Sequence, residues 1–240
     1  MKYKNSFKFP YQLMNGSINE VMVYLAIVNK SDFKSGISHI KRETIAEITG
    51  ISKLETISKI TGKLEKMGLI TKNVHWEDYK RLTWYKVNEI TERFSFVKRD
   101  IMKLDLKVAA FVCKMSCLRY MNSVTLKTLN AFEKLGMSRP TYYKYLNLAL
   151  ESGMLSKDGD VYLLNETYFP STVSMSKSSR DLYKGFLRMD KSTRQYQVAK
   201  RLSDNGFAGV YCPDAYLFAL SQDFKFKQVK RKELNLNFEL

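Results

Sequence analysis

What this sequence lacks narrows it first. No run of apolar residues approaches the roughly eighteen needed to cross a bilayer, so no membrane partner is expected. The first residues, MKYKNSFKFPYQL, hold neither an apolar h-region nor a small-residue cleavage site, which argues against secretion. Cysteine is scarce: three in 240 residues, an odd number that makes no disulfide framework and points to a reducing interior. Cys113 and Cys117 stand four apart, but His39 and His75 are distant and Cys212 is isolated, so buried thiols are expected, with no metal and no other cofactor. No P-loop, dinucleotide glycine fingerprint or nucleophile elbow occurs. The two histidines lack a nucleophile or acid partner, and the acidic residues are scattered where a two-metal centre needs them clustered. These absences argue against an enzyme.

Acidic residues are outnumbered as well, 24 against 40 Lys and Arg, for a net charge of +16. The excess is spread along the chain: 17 basic against 10 acidic residues in 1–98 (+7), 10 against 7 in 99–170 (+3), and 13 against 7 in 171–240 (+6). With a basic excess in every section, a polyanionic partner is favoured, nucleic acid first. Apolar residues at 45% supply material for a real core.

The stretch IAEITGISKLETISKITGKLEKMGLITK, Ile45 to Lys72, carries the most local information. Thr44 to Thr49 predicts a short helix, with Ile45, Ala46 and Ile48 on its apolar side. Gly50 suits the left-handed residue that ends a helix, Ile51 plugs the angle, and Ser52 is the expected N-cap of the next helix. There Ile57, Ile60, Leu64 and Met67 share a face, and Glu55, Ser58, Lys59, Gly62 and Lys66 lie opposite. Gly68 ends this helix. LITKNVHW and RLTWYKVN then predict a hairpin, with Trp76 and Trp84 as cross-strand packing residues. Upstream, Ile18 to Val28, capped by Ser17, predicts the helix that closes the core.

About 85 residues on, KLGMSRPTYYKYLNLALESGMLSK, Lys134 to Lys157, repeats the arrangement. Leu106 to Tyr120 and Val124 to Leu135 are expected helices, and Gly136-Met137-Ser138 the turn. Pro140 sits just inside the following helix, whose Tyr142, Leu146 and Ala149 face the core. Gly153-Met154-Leu155 is the exit, and SKDGDVYLLN a short hairpin turning at Asp158-Gly159. Aligned from the exit glycine, Thr56 matches Thr141, Lys59 matches Lys144 and Gly62 matches Asn147.

This order of helix, sharp turn, helix and hairpin resembles the winged helix-turn-helix superfamily, in two tandem copies over about 15–90 and 104–166. The run from Ala46 through Gly50-Ile51-Ser52 to Lys63-Leu64-Glu65-Lys66-Met67-Gly68-Leu69-Ile70 is similar to the DNA-binding units of phage and plasmid replication initiators and of bacterial transcription regulators. The expected architecture is mainly α with small β-hairpins (α+β): a first winged unit over 1–98, a second over 99–170, and a basic C-terminal helical segment over 171–240. The two copies differ. The first has one more residue between its serine and exit glycine, and Phe132 stands where a small residue is usual, so the second unit either docks differently or serves the fold more than DNA.

The resemblance implies a non-catalytic, sequence-specific binder of double-stranded DNA, cytoplasmic and nucleoid-associated, acting in replication initiation or transcription regulation of a phage, plasmid or bacterial genome. A recognition helix presents three or four side chains to base edges. In the first unit these are expected among Lys53, Glu55, Thr56, Ser58 and Lys59, with Lys63 and Lys66 nearer phosphate. In the second they are Arg139, Thr141, Tyr143, Lys144 and Asn147. Lys72, Lys80, Arg81 and Lys86 on the first hairpin suit phosphate or minor-groove contacts. Residues 171–240 have three open roles: packing on the second unit, forming a homodimer interface, or holding a replisome or polymerase partner. A protein-interaction scaffold and, behind it, an RNA binder are the competing readings. The charge generates one expectation directly. Six or more phosphate contacts imply that duplex affinity falls roughly a thousandfold between 50 and 200 mM salt, and a flat salt titration by fluorescence anisotropy would count against the electrostatic argument.

Overall fold

The computed structural model describes residues 5–77, 80–119, 124–128, 130–159 and 161–170, with side chains 76–82 left aside. The C-terminal expectations for 171–240 lie outside these residues. The architecture is mixed α and β, with small antiparallel sheets.

Helix α1 (Ile18–Asn29) starts where the sequence places it. Ser17 Oγ accepts from the Glu20 amide at 3.2 Å, and the Glu20 carboxylate accepts from the Ser17 amide at 3.3 Å. This reciprocal pair satisfies two otherwise orphaned donors. Every residue from Val21 to Val28 is buried, so α1 is apolar all round and runs through the core. It packs on α2 (Arg42–Thr49), α3 (Leu54–Lys66) and α4 (Leu106–Ser116). Helix α4 is its counterpart in the second copy, capped by Asp105, which accepts from the Val108 amide at 2.9 Å. It packs in turn on α6 (Arg139–Glu151). Cys113 and Cys117 lie inside α4 and at its end, and burial pushes both thiols above their usual range. Among the described residues no helix is long and apolar enough to cross a membrane.

The first hairpin forms as expected, β3 (Ile70–Glu77) with β4 (Lys80–Val87). It gains a third strand, β2 (Ile37–Ser38), paired to Lys86 and Tyr85. A further strand, β1 (Ser6–Pro10), pairs antiparallel with β5 (Phe94–Lys98). Phe9 from β1 packs edge-on against Tyr24 of α1, so this ribbon covers the core.

The second copy departs from expectation in its middle. Instead of one helix over Val124 to Leu135, only α5 (Ala131–Lys134) is helical among the described residues of that stretch. Val124 and Leu126 are hydrogen-bonded to Leu164 and Tyr162 of β7 (Val161–Leu164), which pairs with β6 (Leu155–Asp158). Two causes act together. Val124 and Thr125 are β-branched and favour extended backbone. Asn130 adopts φ +53, which interrupts any helix there. The extended 124–126 segment occupies the place that β2 takes in the first copy, so the element order repeats more closely than the sequence implied. Helix α4 also ends at Ser116, short of Tyr120.

The described residues up to Lys157 and from Tyr162 onward belong to one compact unit. Within that unit, Lys114 of α4 joins the two copies. Only 1% of it is exposed, and its ammonium donates to the Leu135 carbonyl at 2.8 Å and to the Gly16 carbonyl. Leu135 precedes the turn of the second copy, and Gly16 precedes α1 of the first. Gly136 completes the contact: its φ is +61, and a Cβ there would stand 3.1 Å from the Asn15 carbonyl oxygen. Arg119 adds a second tie, donating to the carbonyls of Pro170 at 3.0 Å and Phe96 at 3.4 Å.

Burial lowers the Lys114 ammonium from the ordinary 10.5 to about 8, against a smaller opposing pull from Glu20. Between these values the unfolded chain holds a proton that the folded chain has released, so folding gains as pH rises through that window. The stability of the wild type should therefore grow relative to Lys114→Met by roughly 2–4 kcal/mol between pH 8 and 10.5, measured by urea unfolding at each pH. An unchanging difference would show that the folded ammonium titrates normally.

Candidate nucleic-acid interface

The turn between α2 and α3 is built as the sequence suggested. Gly50 takes φ +69, and its amide returns to the Ala46 carbonyl at 2.8 Å. Thr49 Oγ1 donates to the Ile45 carbonyl at 2.7 Å and accepts from the Ile51 amide at 3.4 Å, which ties the turn to the helix before it. The start of α3 needs correction. Its N-cap residue is Lys53, one place after Ser52, and no side chain caps it. The first-turn amides of α3 therefore have no side-chain acceptor, that of Thr56 donating to the Lys53 carbonyl at 3.0 Å, and the helix start keeps its partial positive charge.

Helix α3 buries Ile57, Ile60, Thr61 and Leu64 against α1 and α2. Its opposite face carries Glu55, Lys59 and Lys66, all exposed, and Gly62 between them. Two expected contact residues are engaged by neighbouring helices. Lys63 forms an ion pair with Glu20 at 2.7 Å, and Ser58 Oγ accepts from Arg42 at 3.1 Å. Thr56 is half-buried and Lys53 exposed at the helix start. Arg42 was missed by sequence reasoning. It opens α2 immediately after Lys41, and that basic pair ahead of the apolar face was the available signal.

Beside α3 stands the β3–β4 hairpin. The Lys72 amide donates to the Glu65 carboxylate at 3.0 Å, fixing the base of the hairpin to the end of α3. The Lys72 side chain is half-buried and Lys86 is exposed. Lys80 and Arg81 open β4, paired with Glu77 and Trp76, and their side chains lie outside the described set. Trp84 lies beside His39, ring centroids 6.4 Å apart, in keeping with a packing role.

In the second copy Ser138 caps α6, accepting from the Thr141 amide at 3.4 Å, with the two hydroxyls 2.7 Å apart. Tyr142, Leu146 and Ala149 are buried, as expected. Phe132 joins that core against Tyr142 at 6.4 Å. Arg139, Thr141, Tyr143, Lys144 and Asn147 are all exposed on one helix. Arg139 lies over the Tyr143 ring at 5.8 Å, and Tyr143 meets Tyr142 edge-on at 5.3 Å.

No family model matches this chain, and no curated protein or solved structure does.

The two helix faces thus rest on their own chemistry. At matched positions α3 presents Ser58, Lys59, Gly62, Lys63 and Lys66, and α6 presents Tyr143, Lys144, Asn147, Leu148 and Glu151. The first is basic and small, the second neutral and partly apolar. Gly62 offers a direct probe of the first. A Cβ there meets nothing within 4 Å. Gly62→Ala should therefore raise stability by about 1 kcal/mol, read as a higher urea midpoint, because the helix gains a better former at no steric cost. A fall in stability would mean that the α3 backbone is not free at this point.

Proposed function

We propose that both copies are winged helix-turn-helix units and that the chain is a sequence-specific, non-catalytic binder of duplex DNA, nucleoid-associated, working in replication initiation or transcription regulation. The observation that carries this reading is the outer face of α3. Its lysines are exposed, Gly62 leaves the helix backbone open, and its first turn has no side-chain cap. Uncapped amides and lysines together suit a phosphate-lined groove. Lys59 is positioned mid-face to reach a base edge, and guanine N7 and O6 are its best acceptors. The hairpin beside α3 supplies further basic side chains to the flanking backbone.

Helix α6 supports the same reading less strongly. Its Arg139, Lys144 and Asn147 are types that pair with bases. Its Leu148 and Glu151 are not types that face phosphate.

The test is capture of fragmented genomic DNA by the full chain, followed by footprinting of the recovered segments. Discrete duplex segments should be enriched, and Lys59→Ala should weaken binding to them by about 1–3 kcal/mol with unchanged thermal stability. Enrichment at one origin or at many promoters separates the two biological roles. Recovery of random segments, equal for wild type and Lys59→Ala, would overturn the proposal.

A further inference from the structure

The outward face of helix α6 is exposed among the described residues. Tyr143 is 45% exposed and Leu148 37%, two of the four large apolar side chains exposed among the described residues. Its charges also stand at the wrong ends. Arg139 is its first residue and Glu151 its last, with no acidic residue in the first turn and no basic one in the last. Each opposes the helix macrodipole, positive at the N-terminus and negative at the C-terminus. Helix α3, of equal length, has the favourable order, with Glu55 in its first turn and Lys63 and Lys66 in its last. Thirteen residues span about 18 Å, so Arg139 and Glu151 cannot meet along one helix.

They can meet between two helices. Set two copies of α6 antiparallel about a two-fold axis through its middle. Pro140 then faces Glu151 of the second copy and Lys144 faces Asn147, with Tyr143 and Leu148 on the two flanks of the contact. Arg139 of each copy comes within reach of Glu151 of the other. Such an isologous contact uses each pairing twice. Each misplaced charge also gains an oppositely signed helix end beside it. We infer that the exposed face of α6 is a docking surface for the same face of a second copy of this chain. The polar alternative, a face laid on DNA, fits less well, because Leu148 and Glu151 stand where α3 has Lys63 and Lys66.

A single pair of short helices buries less than the ~800 Å² per partner of a standard interface, so the free dimer is weak. Two copies held on neighbouring sites of one duplex raise their effective concentration to about the millimolar range, where a weak contact suffices. The proposal does not need that duplex: self-association of the free chain is its direct consequence.

The experiment is sedimentation equilibrium of the full chain without nucleic acid, up to about 0.5 mM. The wild type should show a reversible monomer–dimer equilibrium. Arg139→Glu and Glu151→Arg should each weaken it by about tenfold or more, and the double variant should return it to within about threefold of wild type. Both reversals place charge at its favourable helix end, so melting temperatures should equal or exceed the wild type, which separates lost docking from lost fold. A strictly monomeric wild type, a dimer indifferent to either reversal, or a double variant no better than the singles would each overturn the inference. So would a Glu151→Arg variant with unchanged mass and tighter duplex binding, since the face would then belong to DNA. Binding of DNA by α3 is tested separately through Lys59→Ala and survives any of these results.

Discussion

The joining of the two copies turns on one ammonium group. Lys114 emerges from the buried, mainly apolar stretch of α4 and ends among backbone carbonyls, one from each copy. A lysine has three donors on one atom, so it can gather acceptors from separate turns where a carboxylate could not. The desolvation of its charge is costly, and the two carbonyls offset that only while both are held in place. A change in the spacing of the copies would leave the ammonium buried and under-bonded. The close approach of Gly136 to Asn15 acts in the same direction, because any side chain at that position would wedge the turns apart. Within the compact unit, α3 and α6 therefore sit on a common base of α1 packed against α4.

On that base the two exposed helices have diverged in surface while keeping their interior. Ile57, Ile60 and Leu64 line the buried face of one helix, and Tyr142, Leu146 and Ala149 that of the other. Outside, Lys63 and Lys66 of α3 give way to Leu148 and Glu151 on α6, and Ser58 gives way to Tyr143, while Lys59 is matched by Lys144. Phe132 packing on Tyr142 belongs to the same change, since it thickens the core under α6 without altering its exposed residues.

Much of the interior was legible because helical periodicity and cap chemistry are local. Ser17 with Glu20, Gly50 in a left-handed turn, and Ser138 with Pro140 all act within a few residues of themselves. What the sequence hid was non-local. The strands β1 and β5 are five residues each, and their matching Phe-x-Phe patterns mean little until paired. The 124–126 segment is extended because it finds β7, a partner nearly forty residues away. On the candidate face, residue types could be named in advance but not their engagements. That Glu20 holds Lys63 and Arg42 holds Ser58 follows from tertiary packing of α1 and α2 against α3, which no spacing rule contains.

The pairing of β1 with β5 has a consequence in time. Phe9 and Ser95 are opposite each other in the ribbon, yet 86 positions apart along the chain. At about 5–20 residues per second of synthesis, roughly 4–17 s pass between the appearance of one strand and of the other. Through that interval Phe7 and Phe9 sit on a strand with neither of its edges covered and with the core side of α1 still open to water. The nascent chain thus has a window in which it is at risk of pairing with a neighbour. Its duration is set by where β5 was placed in the gene's reading order, not by the stability of the finished protein.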